Sequence, residues 1–328
     1  MKKFLAILCV FLISGLILAS AGESAKVNPT DIAVVSASTV GTVYFIVSGQ
    51  TAILNANMEG YSFTNEASTG APNVNGPFVN SDPSIMAYIP FCGLYTGVQG
   101  DSSRGFKEPL VNVRFVYGGH QLYLYFLTLE ESDVKSIADL AGKRMSIPPV
   151  GTTGYYQAIA VLKAHGIDPD KDLTAVPMNF TDASDALKDG GVSAITINGG
   201  VMQATVTELD TTRKIRFLSI DDEKATAKLR SDYPYWDVTR FEKGVYKQQP
   251  DNYFIINGAT CMIAHEQLSD DLVYTVTKIL LENVDELSKI HNDGAEWNLE
   301  KSIALMGKNL VGVHPGAERY YREIGAIK

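Results

Sequence analysis

Ser36-Ala37-Ser38-Thr39-Val40-Gly41-Thr42-Val43-Tyr44 reads as the tip of a strand emptying into a helix, and the rest of the chain is arranged around it. Residues 31–35 before it are β-branched and apolar, as a buried strand requires, and Ile46, Ile53 and Leu54 after it fall at helical spacing. Ser and Thr between the two can cap the first helical turn, where free backbone N–H groups and the positive end of the helix dipole converge. Such a spot attracts anions. An ordinary cap with no ligand uses the same residue types.

The pattern recurs downstream. Residues 61–67 read as a second strand ending in Ser68-Thr69-Gly70-Ala71-Pro72, and residues 84–89 as a third, followed by Pro90-Phe91-Cys92-Gly93. If these strands are parallel their carboxyl ends lie together, which is where α/β sheets bind ligands. Residues 113–129, rich in β-branched and aromatic side chains, read as a strand broken at Gly118-Gly119 that leads into a crossing strand. Residues 136–144 give a short capped helix closed by Gly142, and a strand starts at Met145. It runs into Pro148-Pro149-Val150-Gly151-Thr152-Thr153-Gly154 and a helix over 155–165, repeating the opening pattern. Residues 190–197 form a strand ending in Asn198-Gly199-Gly200, with a helix over 202–209.

Further on, Asp221-Asp222-Glu223 reads as a solvated turn, 233–245 as an irregular aromatic stretch, and 253–264 as a strand returning to the first half. Residues 269–290 read as one long helix, 299–305 as a weaker one, and His314-Pro315-Gly316 as the entry to a last helix. The expected division is a leader over residues 1–21, one domain from 26–117 with 258–328, and a second from 118–257. Two polar half-sites that face each other across such a division make a cleft.

Composition limits the partners. The 328 residues are 45% hydrophobic and 20% charged, with a net charge of −9 and an isoelectric point near 5.1. That balance argues against nucleic acid and anionic membrane surfaces, but not against a small anion, because local N–H dipoles outweigh a distant screened charge. Lys2 and Lys3, the apolar run 4–18 and Ala19-Ser20-Ala21 have the anatomy of a cleaved secretory signal, with an uncleaved anchor as the alternative. Cys9 leaves with the leader. Cys92 and Cys261 remain, and their number permits a disulfide without requiring one.

No catalytic constellation is visible. His120, His165, His265, His291 and His314 lack paired metal-ligand spacing, and His265-Glu266 has no second His one helical turn on. There is no Gly-x-Ser-x-Gly elbow, Walker loop or dinucleotide glycine fingerprint. The expectation is therefore no enzyme, no metal and no cofactor. Hydroxyls, amides and glycines at strand ends suit recognition of a small polar ligand, because buried carboxylates need donors to replace their water.

With these motifs in place, the chain resembles the TAXI family of TRAP-transporter solute-binding proteins over nearly its whole length after the leader. The residues that carry the resemblance are Ser38-Thr39-Val40-Gly41-Thr42-Val43-Tyr44, Ser68-Thr69-Gly70, the run from Val134 through Ser136-Ile137-Ala138-Asp139-Leu140 to Arg144, Val150-Gly151-Thr152-Thr153-Gly154 and, most specifically, His314-Pro315-Gly316-Ala317-Glu318-Arg319-Tyr320-Tyr321. The resemblance implies an α/β, two-domain periplasmic-binding-protein type II fold with a ligand cleft between the domains. It also implies a periplasmic protein that delivers a small organic acid or amino acid to a TRAP membrane permease driven by an ion gradient. A binding module for a sensor kinase or an ATP-driven importer is the alternative.

Ser38, Thr39, Gly41, Thr42, Tyr44, Ser68, Thr69 and Phe91 are the ligand-binding candidates of the first half, and Gly151, Thr152, Thr153 and Asn198 those of the second. The chain departs from the family pattern at Val43-Tyr44-Phe45, Ala71-Pro72, Ile89-Pro90-Phe91 and His120-Gln121-Leu122. Together these imply a pocket with one apolar wall and a carboxylate ligand whose body is less polar than that of glutamate.

Overall fold

The computed structural model describes residues 25–39 and 41–328; the leader reading of residues 1–21, Cys9 and Val40 lie outside them. In chain order the elements are β1 (Asp31–Val35), α1 (Thr42–Asn57), β2 (Ser62–Glu66), α2 (Pro72–Ser81), β3 (Ile85–Pro90), α3 (Phe91–Val98) and β4 (Val113–Leu129). Then come β5 (Arg144–Ile147), α4 (Thr153–Ala164), β6 (Thr174–Pro177), α5 (Phe180–Lys188), β7 (Ala194–Gly199), α6 (Ala204–Thr212), β8 (Ile215–Phe217), α7 (Glu223–Asp232) and β9 (Asp237–Phe241). The chain closes with β10 (Tyr253–His265), α8 (Asp270–Glu282), α9 (Val284–Ile290), α10 (Leu299–Gly307) and α11 (Pro315–Glu323). Among the described residues no helix is long and apolar enough to cross a membrane.

The strands form one sheet in the order β2-β1-β3-β10-β4-β7-β5-β6, with β8 on β4 and β9 on β10. At one end β1 pairs in parallel with β2 and β3. At the other, β5 pairs in parallel with β6 and β7. The two parallel blocks are joined by the long antiparallel pair of β4 and β10. Each block thus presents its carboxyl strand ends and the following helix starts on one edge, the edge on which open α/β sheets hold ligands.

β4 is a single strand of 17 residues, and the two glycines that read as a break fall where its pairing with β10 slips, between Cys261↔Gly118 and Ala259↔Gln121. They are there for close packing: a Cβ at Gly118 would stand 2.9 Å from the Lys301 carbonyl oxygen, and one at Gly119 only 2.3 Å from Trp297 Cε2. The single helix expected over 269–290 is two, α8 and α9, because Asn283 leaves helical geometry at φ −116°, ψ 28°, and its Nδ2 donates to Ile279 O at 2.8 Å. Asp221-Asp222-Glu223 is a helix start, with Asp222 Oδ1 accepting from Ala225 N at 2.7 Å. Asp222→Ala should therefore cost about 1 kcal/mol in urea unfolding; an unchanged midpoint would mean that α7 does not need its cap.

The stretch 233–245 is also more ordered than its composition suggests, since β9 pairs with β10 from Phe241↔Tyr253 to Asp237↔Asn257. The 136–144 segment holds only a one-turn 3-10 helix, Ala138–Leu140, tied down by Asp139 Oδ2, which accepts from the Lys135 and Ser136 amides at 2.9 and 2.8 Å. The His314-Pro315-Gly316 entry packs as tightly as its residues allow. His314 Nδ1 accepts from Gly316 N at 3.2 Å, and a Cβ at Gly316 would stand 2.2 Å from Asp270 O, so only glycine lets α11 lie on α8.

One apolar core runs through both halves, taking Phe91, Leu94 and Phe115 from one side and Met145, Ile147 and Val161 from the other. A second lies between α1, α8 and α11, and a third between β7, α6 and the β9 edge. Cys92 and Cys261 are both buried and both free thiols.

Candidate ligand site

The two blocks meet where α3 and α4 begin. β3 passes into α3 with no loop between them, and β5 reaches α4 through residues 148–152. Gly151 turns that loop at φ +88°, a conformation costly to any residue with a Cβ. The loop sets Thr153 against the other block, its Oγ1 lying 4.0 Å from Cys92 Sγ. Around this contact lies a cavity of about 20 Å³, lined from the first block by Pro72, Gly93 and Thr96 and from the second by Gly151, Thr153 and Tyr156. That volume is about right for one water molecule. Gly93 is required here, because a Cβ would fall 2.3 Å from Pro72 Cβ.

Arg104 also lines the cavity. Its guanidinium carbon sits 3.8 Å over the Tyr156 ring and 5.4 Å from the Trp236 ring, and Nη2 donates to Tyr235 OH at 3.2 Å. Its carboxylate neighbour, Asp101, is at 4.0 Å, and that residue's Oδ1 already accepts from Ser103 N and Oγ. The arginine's positive charge thus meets aromatic faces in a cation–π arrangement, a phenol and, at 4.0 Å, Asp101 Oδ2. Burial pushes the Cys92 thiol up, against the pull of Arg104 and the Trp236 indole N–H, so it stays protonated.

The sequence candidates divide in their placement. Gly151 and Thr153 line the cavity. Thr152 is spent on its own helix: it accepts from Tyr155 N at 3.2 Å and donates to Pro149 O at 2.7 Å. Phe91 is fully buried, edge-on to Phe115 with ring centres 6.2 Å apart, and sits in the core while Cys92 and Gly93 face the cavity. Asn198 reaches α4 by donating to Gln157 Oε1 at 3.0 Å.

The remaining candidates belong to a polar knot on the first block. Ser38 and Thr39 are exposed and Thr42 half-buried; Gly41 N closes the turn by donating to Ser38 O at 2.8 Å, and Tyr44 O accepts from Asn65 Nδ2 at 2.9 Å. Ser68 N joins this turn through Ala37 O at 3.2 Å, and Ser68 Oγ lies 2.7 Å from Asn75 Oδ1. Thr69 Oγ1 accepts from Ala71 N at 3.3 Å. The organiser is Asn75, a fully buried side chain that donates to Ser36 O and Tyr88 O, both at 2.8 Å, and so fastens three strand ends together.

Sequence reasoning passed over Asn75, Arg104, Tyr156, Gln157 and Trp236. Among the described residues no group of His, Cys, Asp and Glu side chains could hold a metal ion.

This two-domain α/β architecture is that of the periplasmic binding proteins. MatC from Rhodopseudomonas palustris, solved with bound malate, is 12% identical with a TM-score of 0.55, the match covering 90% of this chain and 99% of that one. A TctC solute-binding protein from Polaromonas is 11% identical with a TM-score of 0.54, covering 90% and 98%. The periplasmic aliphatic sulphonate-binding protein SsuA from Escherichia coli is 14% identical with a TM-score of 0.51, covering 90% and 79%. At such identities the likeness is one of fold. Residues 34–325 match the NMT1-like family, and the chain belongs to it.

Proposed function

We propose that this chain is an extracytoplasmic solute-binding receptor of the TAXI type, which captures a small organic acid or amino acid between two lobes and delivers it to a TRAP permease. The lobes are residues 26–117 with 258–328 and residues 118–257, and residues 1–21 direct export to the periplasm. The observation that carries the reading is the meeting of Cys92 and Thr153 at 4.0 Å across a small cavity where two helix starts converge. A ligand seated there contacts both lobes, and only such two-sided contact gives closure a free energy that depends on the ligand. The malate found in MatC, a protein of the same fold, agrees with a small acid as the guest.

The Ser38–Tyr44 and Ser68–Thr69 turns lie at the carboxyl ends of β1 and β2, and in the open form they face the incoming ligand. Binding to the folded state alone raises its apparent stability, so a thermal-shift screen of organic acids and amino acids should yield stabilising compounds. Ser38→Ala and Thr153→Val should each weaken such a hit several-fold more than Ser81→Ala, a change at an exposed helix end. Equal effects of all three would count against the site.

A further inference from the structure

The cavity's surroundings are one-sided in their chemistry. Arg104 brings a positive charge to its wall. Near that wall, though not lining it, are two buried side chains with under-used donors: Gln157 Nε2 has no partner among the described residues, and Trp236 Nε1 meets only the Cys92 sulfur. Trp236 is 3% and Gln157 0% exposed. The two nitrogens converge on the glycine of β10: a Cβ at Gly258 would stand 3.2 Å from Trp236 Nε1 and 3.7 Å from Gln157 Nε2. Gln157 lies one turn after Thr153 on the same face of α4, and its own oxygen is taken by Asn198. The Trp236 N–H faces the Cys92 sulfur. Buried donors without a good acceptor are costly and infrequent, and here one with none and one with only a weak sulfur acceptor lie near the Cys92–Thr153 seam together with a cation. None of the residues that line the cavity is Asp or Glu.

We propose that Arg104, Trp236 Nε1 and Gln157 Nε2 form an oxyanion subsite that selects organic acids lacking an α-amino group. This rests on the receptor reading and narrows it. As the lobes part, the seam opens, Arg104 leaves the Tyr156 face and its planar fork takes the carboxylate, with the two N–H groups completing the donor set. An α-ammonium beside that carboxylate would sit next to a guanidinium, and the nearest carboxylate, Asp101, lies outside the cavity lining and is already turned to Arg104. Discrimination therefore comes from a repulsive element as well as from attractive ones.

The test is calorimetric titration of matched pairs that differ at the α-carbon: glutarate and glutamate, succinate and aspartate, 4-methylpentanoate and leucine, 3-phenylpropionate and phenylalanine. In whichever pair binds, the acid without the amino group should bind at least about tenfold more tightly. Arg104→Gln should weaken it about 10- to 100-fold, Trp236→Phe and Gln157→Leu about tenfold each, and Arg104→Lys less than Arg104→Gln. Arg240→Gln, at an exposed residue paired with Glu242, should leave affinity unchanged. Tighter binding of an amino acid than of its partner, or indifference to Arg104, overturns the subsite while leaving the receptor intact. Binding by neither series overturns both.

Discussion

Trp297→Ala should destabilise the protein by about 3–5 kcal/mol, the range for truncating a large buried aromatic side chain. Trp297 is completely buried beside the crossing strand β4, edge-on to Tyr117 with ring centres 5.2 Å apart. Gly119 lies so close beneath the indole that no Cβ would fit. Its Nε1 donates to His120 Nδ1 at 3.0 Å, which places that histidine's proton on Nε2. Alanine would leave both a cavity and an acceptor without its donor. Trp297→Phe keeps most of the volume and loses only the hydrogen bond, so about 1–2 kcal/mol should be lost. Urea unfolding followed by circular dichroism measures both, and a loss below 1 kcal/mol for the alanine variant would mean that this residue does not hold the crossing strands.

Acidification should be the second large effect. Burial pushes His120 down to about 3, with the charge of His291 acting the same way. Burial likewise pushes His314 down to about 4, with Lys26 adding to it and Asp270 opposing. A histidine whose folded pKa is depressed favours the neutral folded state, so its contribution is complete above the unfolded value near 6.5 and is lost as pH falls toward the folded one. Each site approaches a slope of about 1.4 kcal/mol per pH unit below its unfolded pKa, so unfolding free energy should drop by about 3 kcal/mol between pH 6.5 and 5. Asp293 and Glu296 work against this, because burial raises both carboxyls and their protonation favours the folded state as pH falls. His314→Asn can still cap α11 but does not titrate, so it should remove about half of the slope. Urea midpoints across this range decide it, and a flat profile for the parent protein contradicts the burial of neutral histidines.

How much of this was visible in the sequence follows from how local each feature is. The polar turns at Ser38, Ser68 and Thr153 were legible, because Ser, Thr and Gly at a strand-to-helix junction act on backbone groups a few residues away. Thr152 is such a case, its cap lying within three residues. Arg104 was not legible, since its partner Tyr235 is 131 residues distant and a lone arginine after Ser102-Ser103 looks like any surface cation. Gln157 and Trp236 were hidden for a related reason, as only the approach of β10 at Gly258 brings their nitrogens together. Gly118-Gly119 was legible only in part, since the strand continues through it while its register with β10 shifts there. Adjacent glycines suggest a break, and what the sequence hid is that they also admit Trp297 and the α10 backbone. The edge strands β6 and β8 are only 4 and 3 residues long, too short for alternation to register, and pairing with their neighbours defines them.

An acid that occupies the proposed site sits in the seam between the lobes, and Cys92, 5% exposed and against Thr153, reports on that seam directly. With Cys261 replaced by serine, maleimide labelling of Cys92 in the chain without its leader requires the seam to open. An acid at about 100 times its Kd should slow that labelling about 100-fold, because a ligand held between the lobes suppresses opening in proportion to its saturation. An acid that stabilises the protein yet leaves the labelling rate of Cys92 unchanged would be binding elsewhere, and the seam would not be its site.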